Sequence, residues 1–364
     1  MCKMEPSIQE TATDLTPSIA AFRIRVQSIL ESEANGLRRR HIVILGIDGI
    51  PYDLALNSWR YARTEKMRSV FPTTSSTAWL SSLTGMDVDS HGIPGVLFEV
   101  SGSRDLINVF EYKGPIGALE IENIFSDAIR FGYLPLSILG DLEDFDCSWR
   151  HALLRHSQPV GGYKFYTRSD KGAPPHPTIV CRDIRRAILQ ALHGGSRSSP
   201  CLIWCFVDVD RYIHYNGYDE HVSQLLTLIE ETAVNLADNT IVLAHSDHGL
   251  TRTTHDVRIE QLMERLRDRL QCLIGGAGRT RWLYLRREAD RQAVLEELGR
   301  RLPRSVRVCG ADDLFAPGSL SRSRVGEIVL VAEGEEFLVP SGYRFEHGSL
   351  TAREVYVPLS EWQS

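Results

Sequence analysis

The sequence predicts an α/β fold: a three-layer α/β/α sandwich with a largely parallel central sheet and a smaller inserted subdomain. Three apolar runs carry this reading, at residues 42–47, 202–207 and 241–244. Their length and β-branched content suit strands covered on both faces. Helical patterns lie between them, and strands that alternate with helices build layers around a parallel sheet. The 364 residues are 43% hydrophobic and 24% charged, which is ordinary globular composition. Disordered, collagenous and coiled-coil classes are thereby excluded.

The elements follow in order. Residues 1–15 are polar and acidic and read as a disordered tail. They lack the basic start and apolar core of a signal peptide. No run of about 18 apolar residues occurs, so no membrane span and no membrane partner are expected, and the location expected is cytoplasmic. Thr16 reads as an N-cap, Pro17 as the first helical residue and Gly36 as the stop. With the Arg38, Arg39 and Arg40 linker, this gives a leading unit over 16–40. The main unit runs over 41–364, with an insertion or subdomain at about 251–343. A helix over 183–192 precedes the second apolar run. Val222, Leu225, Leu226 and Ile229 mark another before the third. Inside the insertion, helices are expected over 258–270 and 290–302, with strands over 282–285, 328–331 and 337–339. The net charge of −6 excludes an overall basic footprint, so no nucleic-acid polymer is expected as a partner. The seven cysteines form no CxxC, and Cys201 and Cys205 lie within a strand pattern. They read as buried, reduced thiols.

Each apolar run ends at an aspartate: Asp48, then Asp208 and Asp210, then Asp247. In open α/β sheets ligands bind beyond the carboxyl ends of the strands. Asp210 and His214 are spaced i, i+4, which puts carboxylate and imidazole on one side of a helical turn. That suits a divalent ion with ligands at about 2.0–2.2 Å. Asp208 is a rival ligand or an outer partner. Asp247 and His248 are adjacent, and Gly249 after them permits a sharp turn. Hydroxyl residues 73–77 follow Pro72 and open a helix stopped by Gly85. A hydroxyl at a helix N-terminus meets free N–H groups that favour a phosphoryl oxyanion. Metal coordination can activate such a hydroxyl. His347 precedes Gly348 near the end.

Taken together, Asp48, the PTTS run, DxxxHxxG from Asp210, SDHG from Ser246 and HGS from His347 resemble the alkaline phosphatase superfamily. The similar branch is the type I phosphodiesterase/nucleotide pyrophosphatase family, in its bacterial form, over about 41–364. The resemblance implies an alkaline-phosphatase-like fold and hydrolysis of a small-molecule phosphoric ester (diester, pyrophosphate or monoester) through a phosphoseryl intermediate. It implies two divalent ions, zinc being usual, with manganese or magnesium as alternatives. Asp210, His214 and His347 would hold one; Asp48, Asp247, His248 and the nucleophile oxygen would hold the other. The family's nucleophile lies three residues after the motif proline and ten before the closing glycine, which selects Ser75, with Thr74 as the neighbouring alternative. The backbone N–H of Ser76 is a further candidate for the oxyanion. His91 is expected to be structural. Nucleotide pyrophosphatases carry Asn three residues after the nucleophile; here that residue is Ala78. Phosphonate hydrolysis, phosphomutase chemistry and a silent metal-bound binding protein are the alternatives. Residues 96–200 and 251–343 are expected to wall the pocket. Tyr163, Phe165, Tyr166, Tyr212 and Tyr215 could stack on a substrate ring or could be ordinary packing.

Overall fold

The computed structural model describes residues 15–100, 105–116, 121–166, 174–194, 199–237 and 240–362. Most of the expected N-terminal tail, through residue 14, and Cys2 within it lie outside the described residues. Along the chain, β1 (His41–Ile47) and β2 (Arg63–Arg68) come first. The hairpin of β3 (Leu97–Glu99) and β4 (Leu106–Asn108) is next. Then come β5 (Leu134–Ile138), β6 (Gln158–Val160), β7 (Cys201–Val207) and β8 (Thr240–His245). The short β9 (Thr251–Arg252) and β10 (Thr254–His255) lead into β11 (Gly275–Ala277) and β12 (Thr280–Leu283). After these run β13 (Val306–Gly310), β14 (Ile328–Ala332), β15 (Glu336–Phe337), β16 (Phe345–Glu346) and β17 (Tyr356–Trp362).

The main sheet has the order β2-β17-β8-β1-β7-β5-β6. β1 pairs in parallel with both β7 and β8, and only β17 runs against the rest. The apolar runs make the centre of this sheet because both of their faces are covered. Ile42 and Ile44 point into one core with Phe22, Trp79 and Trp204. Val43 and Leu45 point into the other with Ile184, Ile188, Leu225 and Ile229. The helices Ala21–Ala34 and Ser75–Thr84 cover the first face; Pro177–Gly194 and Glu220–Leu236 cover the second. The result is the three-layer α/β/α sandwich.

A second, six-stranded sheet has the order β13-β14-β12-β11-β3-β4. Val329 and Val331 face the main core, while Ile328 and Leu330 face a third core under the helices Val257–Leu266 and Arg291–Arg301. Residues 97–108 therefore add two strands to this sheet, from well before position 251.

Some local expectations change. The first helix starts at Ala21, not at Pro17. Pro17 accepts the Arg68 amide and Ile19 donates to the Arg68 carbonyl, each at 2.7 Å, so this segment lies beside β2 as an extended bridge. Tertiary pairing outweighs the local helix signal. Arg40 pairs with Glu33 at 2.8 Å, so the arginine linker is partly anchored to that helix. Residues 338–339 do not continue the strand of 336–337, which pairs with β10. The cysteines among the described residues are free, and all but Cys272 are buried.

Candidate active site

The site forms where β1, β7 and β8 end. Asp48 directly follows β1, and Asp210 opens the helix Asp210–Asn216 just after β7. Asp247 and His248 follow β8 by two and three residues. Ser75 opens the helix Ser75–Thr84, so the Ser76 amide has no acceptor within the helix. Gly249 acts differently from expectation. Its φ is not positive; instead a Cβ there would stand 2.1 Å from the Arg353 carbonyl oxygen, so the residue allows a close backbone approach.

Four side chains converge at one end of the cluster. Ser75 Oγ lies 3.2 Å from Asp48 Oδ2 and 3.2 Å from His248 Nε2. His248 Nε2 is 3.1 Å from Asp247 Oδ2 and 3.6 Å from Asp48 Oδ1. Ligand atoms about 2.0–2.2 Å from a tetrahedral ion lie roughly 3.3–3.6 Å apart, so this spacing leaves room for one ion among the four. Trp79 Nε1–H donates to Asp48 Oδ2 at 3.2 Å and fixes that carboxylate.

The other end is built on the i, i+4 pair. His214 Nε2 is 2.9 Å from Asp210 Oδ2, and His347 Nε2 is 3.9 Å from the same oxygen. The Nδ1 of His214 meets the Phe345 carbonyl at 2.9 Å, and that of His347 meets the Thr73 carbonyl at 3.0 Å. With Nδ1–H donating in each ring, Nε2 is the nitrogen whose lone pair a cation would take once the ring is neutral. Tyr343 stacks on His214 at 4.1 Å, and His347 stacks on His248 at 3.9 Å.

Buried carboxylates facing one another raise the cost of charge. Burial, then Asp247, Asp210 and Asp208, hold Asp48 well above the usual carboxylate range. Burial and then Asp210 push Asp247 up. Asp210 goes the other way: burial opposes its charge, but His214, then His347 and His248, outweigh it and lower its pKa. Burial works against the His214 cation too, yet Asp210 and Glu346 raise it to about 10. Burial, then His347, drives His248 well below its ordinary value. Asp48 Oδ1, Asp210 Oδ1 and Asp247 Oδ2 are buried with no hydrogen-bond partner. Such atoms are costly unless a cation takes them, so the donor set fits divalent metal.

The seven residues read from the sequence meet here, and six of them, Ser75 apart, fall into sets of three that could each hold an ion: Asp48, Asp247 and His248; Asp210, His248 and His347, with His248 in the place expected for His214. A third set joins His214 and His347 to Glu346, which the sequence reading missed although it directly precedes His347. Glu346 is 3% exposed, and its Oε1 accepts the His347 amide at 3.0 Å and lies 3.5 Å from His347 Nε2. Asp208 joins none of these sets; its Oδ1 accepts the Arg211 amide at 3.1 Å. Thr74 is buried, and its backbone caps the helix without a side-chain bond, while Ser75 carries the contacts to Asp48 and His248. Ala78 is buried in the core. His91 is buried 3.1 Å from Ser81 Oγ, away from the cluster.

The loop carrying His347 is held from the second sheet. Arg279 and Glu354 form a fully buried ion pair at 3.2 Å, within charge range though not aligned as a hydrogen bond. The Arg279 amide donates to the His347 carbonyl at 2.6 Å. Gly278 has φ of +51°, and a Cβ there would stand 2.0 Å from the His347 oxygen, so only glycine fits. Thr73 links the two loops: its Oγ1 donates to the Ser349 carbonyl at 2.8 Å and accepts the Gly348 amide at 3.0 Å.

A cavity of about 400 Å³ opens on the cluster. Val96, Leu97, Phe110, Leu142, Phe145 and Trp149 line it from one segment, and Gly276, Gly278, Arg281, Pro340 and Tyr343 from another. Of the five aromatic candidates none lines it: Tyr163, Phe165, Tyr166 and Tyr212 are buried in the second core, and Tyr215 is 48% exposed. The Arg281 guanidinium donates to the carbonyls of Gly278, Thr280 and Leu338, which holds a cation at the cavity wall.

No family model matches the sequence, and no curated protein matches it. Solved structures do. Murine ectonucleotide pyrophosphatase/phosphodiesterase 5 is 13% identical with a TM-score of 0.63, covering 88% of each chain. The human protein is 15% identical with a TM-score of 0.64, covering 88% of this chain and 87% of that one. Phosphonoacetate hydrolase from Sinorhizobium meliloti 1021, solved with phosphonoformate, is 15% identical with a TM-score of 0.65, covering 89% of this chain and 90% of that one. These neighbours are nucleotide pyrophosphatase/phosphodiesterase-type enzymes of the alkaline phosphatase superfamily, and this chain has their alkaline-phosphatase-like fold.

Proposed function

We propose that this chain of alkaline-phosphatase-like fold is a metal-dependent hydrolase of small-molecule phosphoric esters, with Ser75 as its nucleophile. The observation that carries this is the set of 3.1–3.6 Å separations among Asp48, Ser75, Asp247 and His248, whose carboxylate oxygens are partly orphaned and buried. Asp48, Ser75, Asp247 and His248 would hold one divalent ion, and Asp210, His214 and His347 the other. Zinc suits these mixed nitrogen and oxygen donors; manganese and magnesium are the alternatives. Bound ions supply Lewis acidity and offset phosphoryl charge.

The chain's own residues do the rest. Ser75 Oγ gives up its proton and forms the bond to phosphorus while the ester P–O bond breaks in line with it, and the departing oxygen takes up a proton and leaves as the alcohol. Water then cleaves the phosphoseryl P–O bond, releasing the phosphate product and restoring the Ser75 hydroxyl. Asp48, fixed by Trp79, orients the Ser75 oxygen. The Ser76 amide, at the positive end of its helix, faces a phosphoryl oxygen. Arg281 offers a second cationic contact for the substrate. The apolar wall limits water around the reacting atoms.

The test is turnover of bis(p-nitrophenyl) phosphate and p-nitrophenyl phosphate by metal-replete protein. Ser75→Ala should cost about a thousandfold or more, and Thr74→Ala far less. Two ions per chain are expected by elemental analysis. Ser75→Ala at wild-type rates, or no bound metal with every ligand intact, overturns the reading. Phosphonate hydrolysis is the second reading, favoured by the likeness to phosphonoacetate hydrolase. Turnover of phosphonoacetate, with both esters left intact, would select it.

A further inference from the structure

The cavity has two unlike walls. One holds the acidic and histidine cluster with Ser75. The other is apolar, from Leu97, Phe110, Leu142, Phe145, Trp149 and Phe206, and Asp208 and Arg211 also line the cavity. The Phe110 ring lies 5.5 Å from that of Phe145 and meets that of Trp149 edge-on at 5.1 Å and 90°. This wall begins at the nucleophile, because Trp149 Nε1–H donates to the Ser76 carbonyl at 2.9 Å. That bond occupies the one polar atom these six side chains possess. Leu97 keeps 39% of its surface exposed at the cavity edge.

We infer that the substrate is a phosphoric ester whose organic substituent is an apolar hydrocarbon group, aryl or alkyl, packed on this wall and not a nucleoside. The inference rests on the hydrolase reading above. A nucleobase can stack its face on such rings, but these six side chains offer no partner to its ring-edge groups or to sugar hydroxyls, so the wall favours a hydrocarbon group over a nucleoside. A hydrocarbon group loses nothing there and removes Leu97, Phe110 and Phe145 from water. The volume of about 400 Å³ suits a small ligand of this kind. The position of Ala78, buried in the core, agrees with a site that departs from nucleotide pyrophosphatases.

Binding of anions that carry no ester bond separates this from ester turnover. Phenylphosphonate and methylphosphonate are titrated calorimetrically into metal-loaded protein. Phenylphosphonate should bind roughly tenfold to a hundredfold more tightly, as burial of a ring on an apolar wall requires. Leu97→Asn, at the exposed edge where the fold tolerates change, and Phe145→Ala should each cut that ratio to a few-fold. Equal affinity for the two anions overturns the inference, as does tighter binding of adenosine 5′-monophosphate than of phenyl phosphate. Ester turnover without a phenyl preference would leave the hydrolase reading standing and sink this one. A phenyl preference without turnover of any ester would uphold the apolar subsite and sink the hydrolase reading.

Discussion

At the scale of single residues, the site was legible wherever chemistry needs a fixed residue type at a fixed spacing. Asp210 and His214 announce themselves because one helical turn brings them to 2.9 Å. Ser75 could be separated from Thr74 only weakly in sequence; the contacts to Asp48 and His248 separate them in space. Glu346, Arg281 and Thr73 were not legible, since each reaches the site through tertiary packing and carries no spacing signature. Glu346 adds a second carboxylate, after Asp210, beside His214 and His347. Glu346→Gln should therefore weaken binding of one ion by about 10–100-fold, read by chelator competition with activity left out of account. Unchanged affinity for both ions would remove Glu346 from the metal centre.

At the scale of elements, the helix that Ser75 opens is pinned by a neutral histidine. Nδ1 of His91 accepts the Ile93 amide at 3.1 Å, so Nε2 carries the proton and donates to Ser81 Oγ. Burial lowers its pKa to about 4. The unfolded chain, near 6.5, then takes up the proton first as pH falls. Stability is intact above about pH 6.5, declines between about 6.5 and 4, and levels below that, for a loss of about 3 kcal/mol from this residue. Denaturant unfolding of metal-free protein at pH 7.5 and 5 should show a smaller decline in His91→Gln than in the wild type; equal declines would remove this role. The sequence marked this helix by its hydroxyl start and the left-handed Gly85 at its end. It gave no sign of β2 or β17. Arg63–Arg68 reads as polar because β2 is an exposed edge, and Pro358 disguises β17 as a non-strand.

At the scale of the whole molecule, the candidate metal centre joins two sheets. Asp48, Asp210 and Asp247 belong to the ends of main-sheet strands, while His347 sits on a loop tied to Arg279 and Gly278 of the second sheet. Ions bound there would act as a clasp, each adding about 4 kcal/mol to stability at a thousand times its Kd. Chelation should lower Tm and raise amide exchange in 275–283 and 345–349 more than in β1 or β7; a uniform change would contradict the clasp. The three central strands and the layering were readable because buried parallel strands are apolar throughout. The apolar cavity wall was not, since its rings come from short elements with no periodic signal. The position of β17 carries one more consequence. β2 joins the main sheet through β17, with Arg68 opposite Tyr356. Chain segments so far apart meet slowly, because the loop between them must close first. Ser75 lies only a short stretch beyond β2. During refolding from denaturant, the parallel heart of the sheet should regain its circular dichroism before the Ser75 segment is seated, so that turnover by the proposed hydrolase returns as a later event than the fold that surrounds it.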